Sequence, residues 1–417
     1  MRAWGVVAAL IGALALVAVW APRAVAEGPI KVGFGMALTG GVAGNGKAAL
    51  LAIQIWAEEV NKKGGLLGRK VELVYYDDQS KAATVPGIYT KLLDVDKVDL
   101  VVSGYGTNLI APALPIVIER KLTFIGLFGL AVNEQFHYPH YFGIMPAGPS
   151  PKTDWSAGFF EIAGRQNPKP RTVALVGADA EYGQNALAGA RENAKRHGLQ
   201  VVYDKAYPPA TVDFTPIVRA IQATNPDIVF VASYPPDSAG MLRAAHEVGL
   251  KPKLFGGGMV GLQYASLQTA LGLMLEGVVN YDFWVPEPTL KFPGIEDFLK
   301  KYQERAKAAG VDPLGHYVPP WAYAYLQVLG QAVEATKSLD QQKIGEYIRT
   351  HEHDTLVGKI RFAPNGEWVK SRVLMVQFQN IENNSLKQFG EPGHRVVIYP
   401  DEWKSGTLIY PYAKAKR

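Results

Sequence analysis

Two successive strand–helix series, followed by late strands that need a sheet to join, predict an α/β protein of two similar lobes. The first series ends near Pro146 and the second begins after it. In the first, residues 30–38 (IKVGFGMAL) read as a buried strand followed by Thr39-Gly40-Gly41. A helix follows over about 47–63, with Ala49, Ile53, Trp56 and Val60 on one face and Gly64-Gly65 as its stop. Residues 71–76 form the next strand, ending at Asp77-Asp78, and 81–95 a helix interrupted or started late by Pro86. A strand over 99–103, a helix over 108–120 and a strand over 123–128 complete the series. Pro146 to Pro151 marks a crossover, and the pattern restarts.

The second series holds strands over 172–177 (TVALVG), 200–206, 227–232 (DIVFVA) and 253–256. The helices between them fall over 182–197, 214–224 and 238–248. Beyond about Asp282 the chain turns helical, including 317–338, and then carries short strands such as 359–362 and 374–379. Strands this late complete sheets already begun, so the chain is expected to pass between lobes more than once.

The N-terminus reads as an export signal. Arg2 gives a positive start, residues 6–20 are a nearly unbroken apolar run, and Ala24-Val25-Ala26 offers the small residues of a cleavage site before Glu27. The run is short of the ~20 residues that span a bilayer. Residues 1–26 are therefore expected to be a cleaved signal peptide, and the rest an exported, periplasmic protein. The 417-residue chain carries a net charge of +5. Removing Arg2 and Arg23 lowers its 43 basic residues to 41 against 38 acidic ones, a net +3 with no clustering, which gives no argument for a nucleic-acid partner. There is no cysteine, which excludes disulfides, thiol nucleophiles and cysteine metal sites.

Several segments in order resemble the leucine/isoleucine/valine-binding proteins, the type I periplasmic solute-binding proteins of branched-chain amino-acid importers. They are 30–41 (IKVGFGMALTGG), 59–68 (EVNKKGGLLG), 71–78 (VELVYYDD) and 101–115 (VVSGYGTNLIAPALP). Further on come 176–183 (VGADAEYG), 213–225 (DFTPIVRAIQATN), 241–249 (MLRAAHEVG), 359–366 (KIRFAPNG) and the closing 398–411. The resemblance implies two Rossmann-like lobes joined by a three-crossover hinge that closes on a ligand, and an inner-membrane ABC permease as partner. The lobes expected are 27–146 with about 282–354, and 147–281 with about 355–417. It also implies a monomer that binds without a cofactor and without catalysis.

In the family, the turn after the third strand holds the ligand carboxylate. Here it is Ser103-Gly104-Tyr105-Gly106-Thr107-Asn108, with Thr107 on the hydroxyl position. Glycine admits close backbone approach, and a helix start offers free N–H groups. A plain helix N-cap fits the same residues. The second family turn places a small residue and then a hydroxyl. Gly129 fits the first, Leu130 lacks the second, and Phe128 adds a ring. Amino-acid binders carry an acid after the strand at 253–256, where this chain has Gly258, and no Asp or Glu occurs from 254 to 275. A buried ammonium without a counter-charge costs several kcal/mol. Tyr105, Phe128, Tyr182 and Tyr234 sit on turns that match cleft turns, while Tyr281, Phe283 and Trp284 fit either cleft or core. Asn45, in the Gly44-Asn45-Gly46 loop, and Met259 complete the candidate contacts. The expected ligand is a small carboxylate, foremost an aromatic acid. Branched-chain or other apolar amino acids are the alternative, and a soluble ligand sensor is a third reading.

Rival chemistries find little support. Gly44-Asn45-Gly46-Lys47-Ala48-Ala49 fits a dinucleotide fingerprint, but the loop from the preceding strand is too long and Asp77 lies too far on. His351-Glu352-His353-Asp354 lacks metal-helix spacing and reads as a polar loop. No nucleophile elbow appears.

Overall fold

The computed structural model describes residues 28–415, so the expected signal peptide lies outside the described residues. The first series forms β1 (Ile30–Met36), α1 (Ala43–Lys62), β2 (Val71–Asp77), α2 (Val85–Asp94) and β3 (Leu100–Val101). It continues with α3 (Thr107–Ile110), α4 (Leu114–Glu119), β4 (Phe124–Gly126), α5 (Asn133–Phe136) and β5 (Tyr141–Gly143). β1 lies between β2 and β3, all parallel. The bonds Ser103 N to Ile125 O (3.1 Å) and Gly106 N to Leu127 O (3.0 Å) carry the order on to the parallel pair β4–β5.

The second series forms α6 (Pro151–Gly164), β6 (Thr172–Ala178), α7 (Glu181–Arg196), β7 (Gln200–Tyr207) and α8 (Thr215–Ala223). β8 (Ile228–Ser233), α9 (Pro235–Val248), β9 (Leu254–Met259), α10 (Ala265–Leu271) and β10 (Val279–Asp282) follow. The remainder is α11 (Ile295–Ala309), α12 (Val318–Thr336), α13 (Gln341–Thr350), β11 (His353–Thr355), β12 (Gly358–Ile360), β13 (Leu374–Phe378), α14 (Leu386–Phe389) and β14 (Arg395–Tyr399). The second sheet runs β14-β13-β10-β9-β8-β6-β7, parallel from β7 to β10 and antiparallel beyond. α11 and α12 return to pack on α1, where Arg305 pairs with Glu58 and the Tyr323 hydroxyl donates to Glu59 (2.6 Å). Each sheet with its helices is one lobe.

Several local expectations change. The helix expected over 108–120 is broken into α3, a 3-10 turn and α4, because Pro112 and Pro115 supply no amide proton and crowd the preceding carbonyls. α6 and β5 had no counterpart in the sequence reading. The segment read as a polar loop at His351 to Asp354 begins just past the end of α13 and runs into β11, so only His351 and Glu352 lie between elements. His353 is fully buried there, with Nε2 against Ile348 O, and Glu352 is paired with Lys359. Gly46 lies in the first turn of α1, and a Cβ there would come 1.9 Å from Ala37 O, so this glycine lets the helix lie close on the end of β1. Among the described residues no helix is long and apolar enough to cross a membrane.

Candidate ligand-binding cleft

The turn after β3 stands where the two lobes meet. Gly106 takes φ 96°, a left-handed conformation that favours glycine. A Cβ on Gly104 would come 2.5 Å from Gly35 O, so the turn also needs glycine for close approach to β1. Thr107 is buried, and its Oγ1 accepts from Leu130 N (3.0 Å), which leaves the hydroxyl proton free to donate elsewhere. α3 is one turn long, with Leu109 N and Ile110 N both on Gly106 O. Its aligned dipoles are too few to give the field of a full helix, so the Thr107 hydroxyl, more than helix charge, equips this turn to hold a carboxylate.

The second turn brings Phe128 to the centre of the interface. Its backbone is left-handed at φ 62°, a conformation that costs a bulky residue roughly 1–3 kcal/mol. Ring packing holds it there: Phe283 lies at 4.8 Å, Tyr317 at 5.2 Å, Trp321 at 5.9 Å and Tyr105 at 6.1 Å between centroids. Gly129 is small because a Cβ there would lie 2.8 Å from the Tyr141 hydroxyl.

The opposite wall comes from the second lobe. Tyr182, in the first turn of α7, donates its hydroxyl to Gly258 O (2.8 Å). Tyr182 N and the Tyr234 hydroxyl both donate across the interface to Asn108 Oδ1, at 3.2 Å and 2.8 Å. Asn185 Nδ2 donates to Leu130 O (2.9 Å), again from lobe to lobe. Trp155 of α6 stands 4.8 Å from Tyr281 and 5.5 Å from Tyr182, and the Tyr281 and Tyr317 hydroxyls meet at 2.6 Å. Asn45 and Tyr264 lie beside the Tyr105 hydroxyl. Gly258 leaves room for Trp155, since a Cβ would come 2.9 Å from that ring and from Val231 O. Met259 turns its side chain into the core of the second lobe, and Asn280 clasps its backbone N–H and carbonyl, so the side chain does not face the cleft.

The structure thus brings Tyr105, Gly106, Thr107, Phe128, Tyr182 and Tyr234 to one inner cavity of about 40 Å³. A mouth of about 370 Å³ adjoins it, lined by Ser80, Asn108 and Asp237 among others. Tyr281 belongs to the cleft wall rather than to a remote core. Sequence reading passed over Trp155, Tyr264, Tyr317 and the role of Asn108. Only Asn108 had a signal, its place in the glycine turn. No acid or base lines the inner cavity. Burial pushes the phenols of Tyr105, Tyr182, Tyr281 and Tyr317 up, so they stay neutral hydrogen-bonding groups. In the mouth, burial also raises Asp237, whose Oδ2 accepts from the Tyr207 hydroxyl (3.1 Å). A larger hollow of about 580 Å³ lies on the outer face near α1 and α11. It is open to solvent and carries the paired charges of Lys301 and Glu59, so the cleft is the better candidate.

The family model described as periplasmic binding protein matches residues 29–383. Leu/Ile/Val-binding protein homolog 7 of Brucella melitensis is 25% identical over 406 residues, covering 93% of this chain and 96% of that relative. Among solved structures, a leucine-binding protein from Thermotoga maritima superposes with TM-score 0.74 at 22% identity, over 89% of this chain and 99% of that one. A solute-binding protein of an ABC transporter from R. palustris, in complex with 4-hydroxybenzoate, superposes with TM-score 0.73 at 20% identity, over 88% and 95%. These likenesses show the two-lobed fold.

Proposed function

The chain belongs to the periplasmic binding protein family, and from that premise we propose that it captures a small aromatic carboxylate between its lobes for an ABC importer. One observation carries the ligand class. The inner wall is built of aromatic rings with neutral polar groups, and no carboxylate lines it. Rings stacked on a flat ligand add ~0.5–1.5 kcal/mol beyond burial, whereas an amino acid brings an ammonium with nothing there to neutralise it. Thr107 is the proposed carboxylate donor, with Tyr105, Phe128, Tyr182 and Tyr234 as walls. The proposed protein acts outside the cytoplasmic membrane after loss of residues 1–26. Its proposed lobes exchange the chain three times, after β5, after β10 and, instead of near residue 354, after the β11–β12 hairpin in which His353 pairs with Ile360. The packing of α11 and α12 on α1, and of β13 and β14 in the second sheet, supports that division.

An apolar amino acid is the second reading. The name of the Brucella relative favours it, and so does Asp237 in the mouth, a buried acid within reach of an ammonium that projects outward. Calorimetric titration with benzoate, 4-hydroxybenzoate, phenylalanine and leucine separates the two. The proposal expects tight, one-to-one binding of an aromatic acid, recovered unchanged. Tight leucine or phenylalanine with no response to either benzoate would replace it with the second reading.

A further inference from the structure

Among the rings of the cleft wall, Trp155 carries a donor that the protein itself leaves unused. It is fully buried, lines the inner cavity, and its Nε1–H has no partner. An indole N–H only donates, and a buried donor without an acceptor is rare in native proteins and calls for an explanation. The oxygens around the cavity are engaged elsewhere. Thr107 Oγ1 accepts from Leu130 N, the Tyr182 hydroxyl donates to Gly258 O, and the Tyr234 hydroxyl donates to Asn108. The Tyr281 and Tyr317 hydroxyls pair with each other, and the Tyr105 hydroxyl lies beside Asn45, Tyr264 and Tyr317. A phenol oxygen that donates can still accept, yet none of these meets the indole N–H.

The packing of the ring accounts for its other edges. Its six-membered end abuts Gly258, where a Cβ would come 2.9 Å from Cη2. The N–H belongs to the five-membered end, which is not the part that rests on β9. Tyr281 and Tyr182 pack on the indole at 4.8 Å and 5.5 Å between centroids. Trp155 comes from α6 of the second lobe and Thr107 from α3 of the first, and both line the same cavity of about 40 Å³. Thr107 Oγ1 accepts from Leu130 N and keeps its own proton to donate. Each lobe thus brings one unspent neutral donor to a cavity that no acid or base lines. A carboxylate, with two oxygens that only accept, suits that pair.

We infer that Trp155 is a ligand-binding residue of the second lobe, whose Nε1–H donates to the ligand's carboxylate opposite Thr107, so that one carboxylate ties the two lobes together. The inference rests on the proposed function only for that carboxylate, which the aromatic acid and the amino acid share.

The test replaces Trp155 by 3-benzothienylalanine, which keeps the shape of the indole and lacks the N–H. Calorimetry with benzoate, 4-hydroxybenzoate and leucine compares this variant with the wild type. For whichever of these the wild type binds most tightly, the variant is expected to lose about tenfold or more in affinity, the worth of a hydrogen bond to a charged group. Its thermal melt without ligand should match the wild type. In spectra of the ¹⁵N-labelled protein, the indole N–H resonance missing from the variant should move downfield when the same ligand is added to the wild type. Affinity within about twofold in a variant of unchanged melt overturns the inference, and so does a resonance that stays in place, which would leave the N–H against a neighbouring ring. If the variant melts lower, packing has changed, and the wild-type resonance decides. If the wild type binds leucine and neither benzoate, the aromatic-acid reading fails, and the leucine titration of the same variant still decides this inference.

Discussion

Glu367 is 1% exposed, and neither of its carboxylate oxygens has a partner. Burial, with Glu134 adding repulsion, pushes its carboxyl up to about 8. In the unfolded chain a glutamate ionises at about 4.3. Between these values the folded state keeps a proton that the unfolded state has released, so stability falls as pH rises from about 4.5 to about 8 and levels off above. Glu367→Gln removes that slope. Denaturant melts at about pH 5 and pH 8.5 should show the variant gaining on the wild type at the higher pH, by an amount on the order of a few kcal/mol. Parallel pH curves for the two proteins would mean that Glu367 finds a partner in solution. The neighbouring Tyr141 hydroxyl is also unpaired, so this corner of β5 tolerates polar burial at two positions.

At the scale of elements, Arg395 of β14 ties three segments together. Its Nη1 pairs with Asp282 at the end of β10 (3.2 Å), and its Nη2 donates to Nδ1 of His316, just before α12 (2.5 Å). All three are buried. Desolvation outweighs attraction on both sides of the pair: Asp282 rises to about 6 and Arg395 falls. Burial, and then Arg395, hold His316 well below its usual range, so it is neutral and accepts. Asp282 separates Tyr281 from Phe283, and His316 precedes Tyr317, so the network anchors the backbone that carries three rings of the cleft. Arg395→Met should cost about 3–5 kcal/mol by leaving Asp282 buried without a counter-charge. Adding Asp282→Asn should restore part of it in the same unfolding experiment. Without any recovery in the double variant, packing rather than charge would explain the loss.

Across the whole molecule, closure is written in a few contacts. Asn108 Oδ1 collects Tyr182 N and the Tyr234 hydroxyl, and Asn185 reaches Leu130 O. The pair Lys152–Glu134 is partly exposed and adds little. Aromatic rings fill the space between, so one apolar cluster runs from Ile30 in the first sheet to Val397 in the second. A ring-sized ligand exceeds the inner cavity of about 40 Å³, so the proposed binding should be accompanied by a parting and reclosing of the lobes. Asn108→Ala leaves the Tyr182 N–H and the Tyr234 hydroxyl without their acceptor in the closed form, whereas water serves them in an open one. It should weaken ligand binding by about 1–3 kcal/mol and enlarge the radius of gyration from small-angle scattering with ligand present. Unchanged affinity and radius would remove Asn108 from the closing interface.

The alternation of apolar strands and amphipathic helices was legible because each depends on neighbours within about ten residues. β1, β6, β8 and β9 announce themselves as predominantly apolar runs, and Gly104, Gly106 and Gly129 mark turns by composition alone. The lack of an acid at Gly258 was also visible in the chain. What stands in its place was not, because Trp155 reaches Gly258 from a helix a hundred residues earlier that no local pattern had announced. The direction of Met259 followed from the register of β9 in the sheet, and the breaks between α3 and α4 from prolines that a coarse helical reading overran. The sequence by itself determined the kind of fold and the turns that border the cleft. The meeting of Asn45, Tyr105, Tyr264 and Tyr317, far apart in the chain, was decided only by the packing of one lobe on the other, because side-chain direction and hydrogen-bond partners across an interface depend on that packing and not on local pattern.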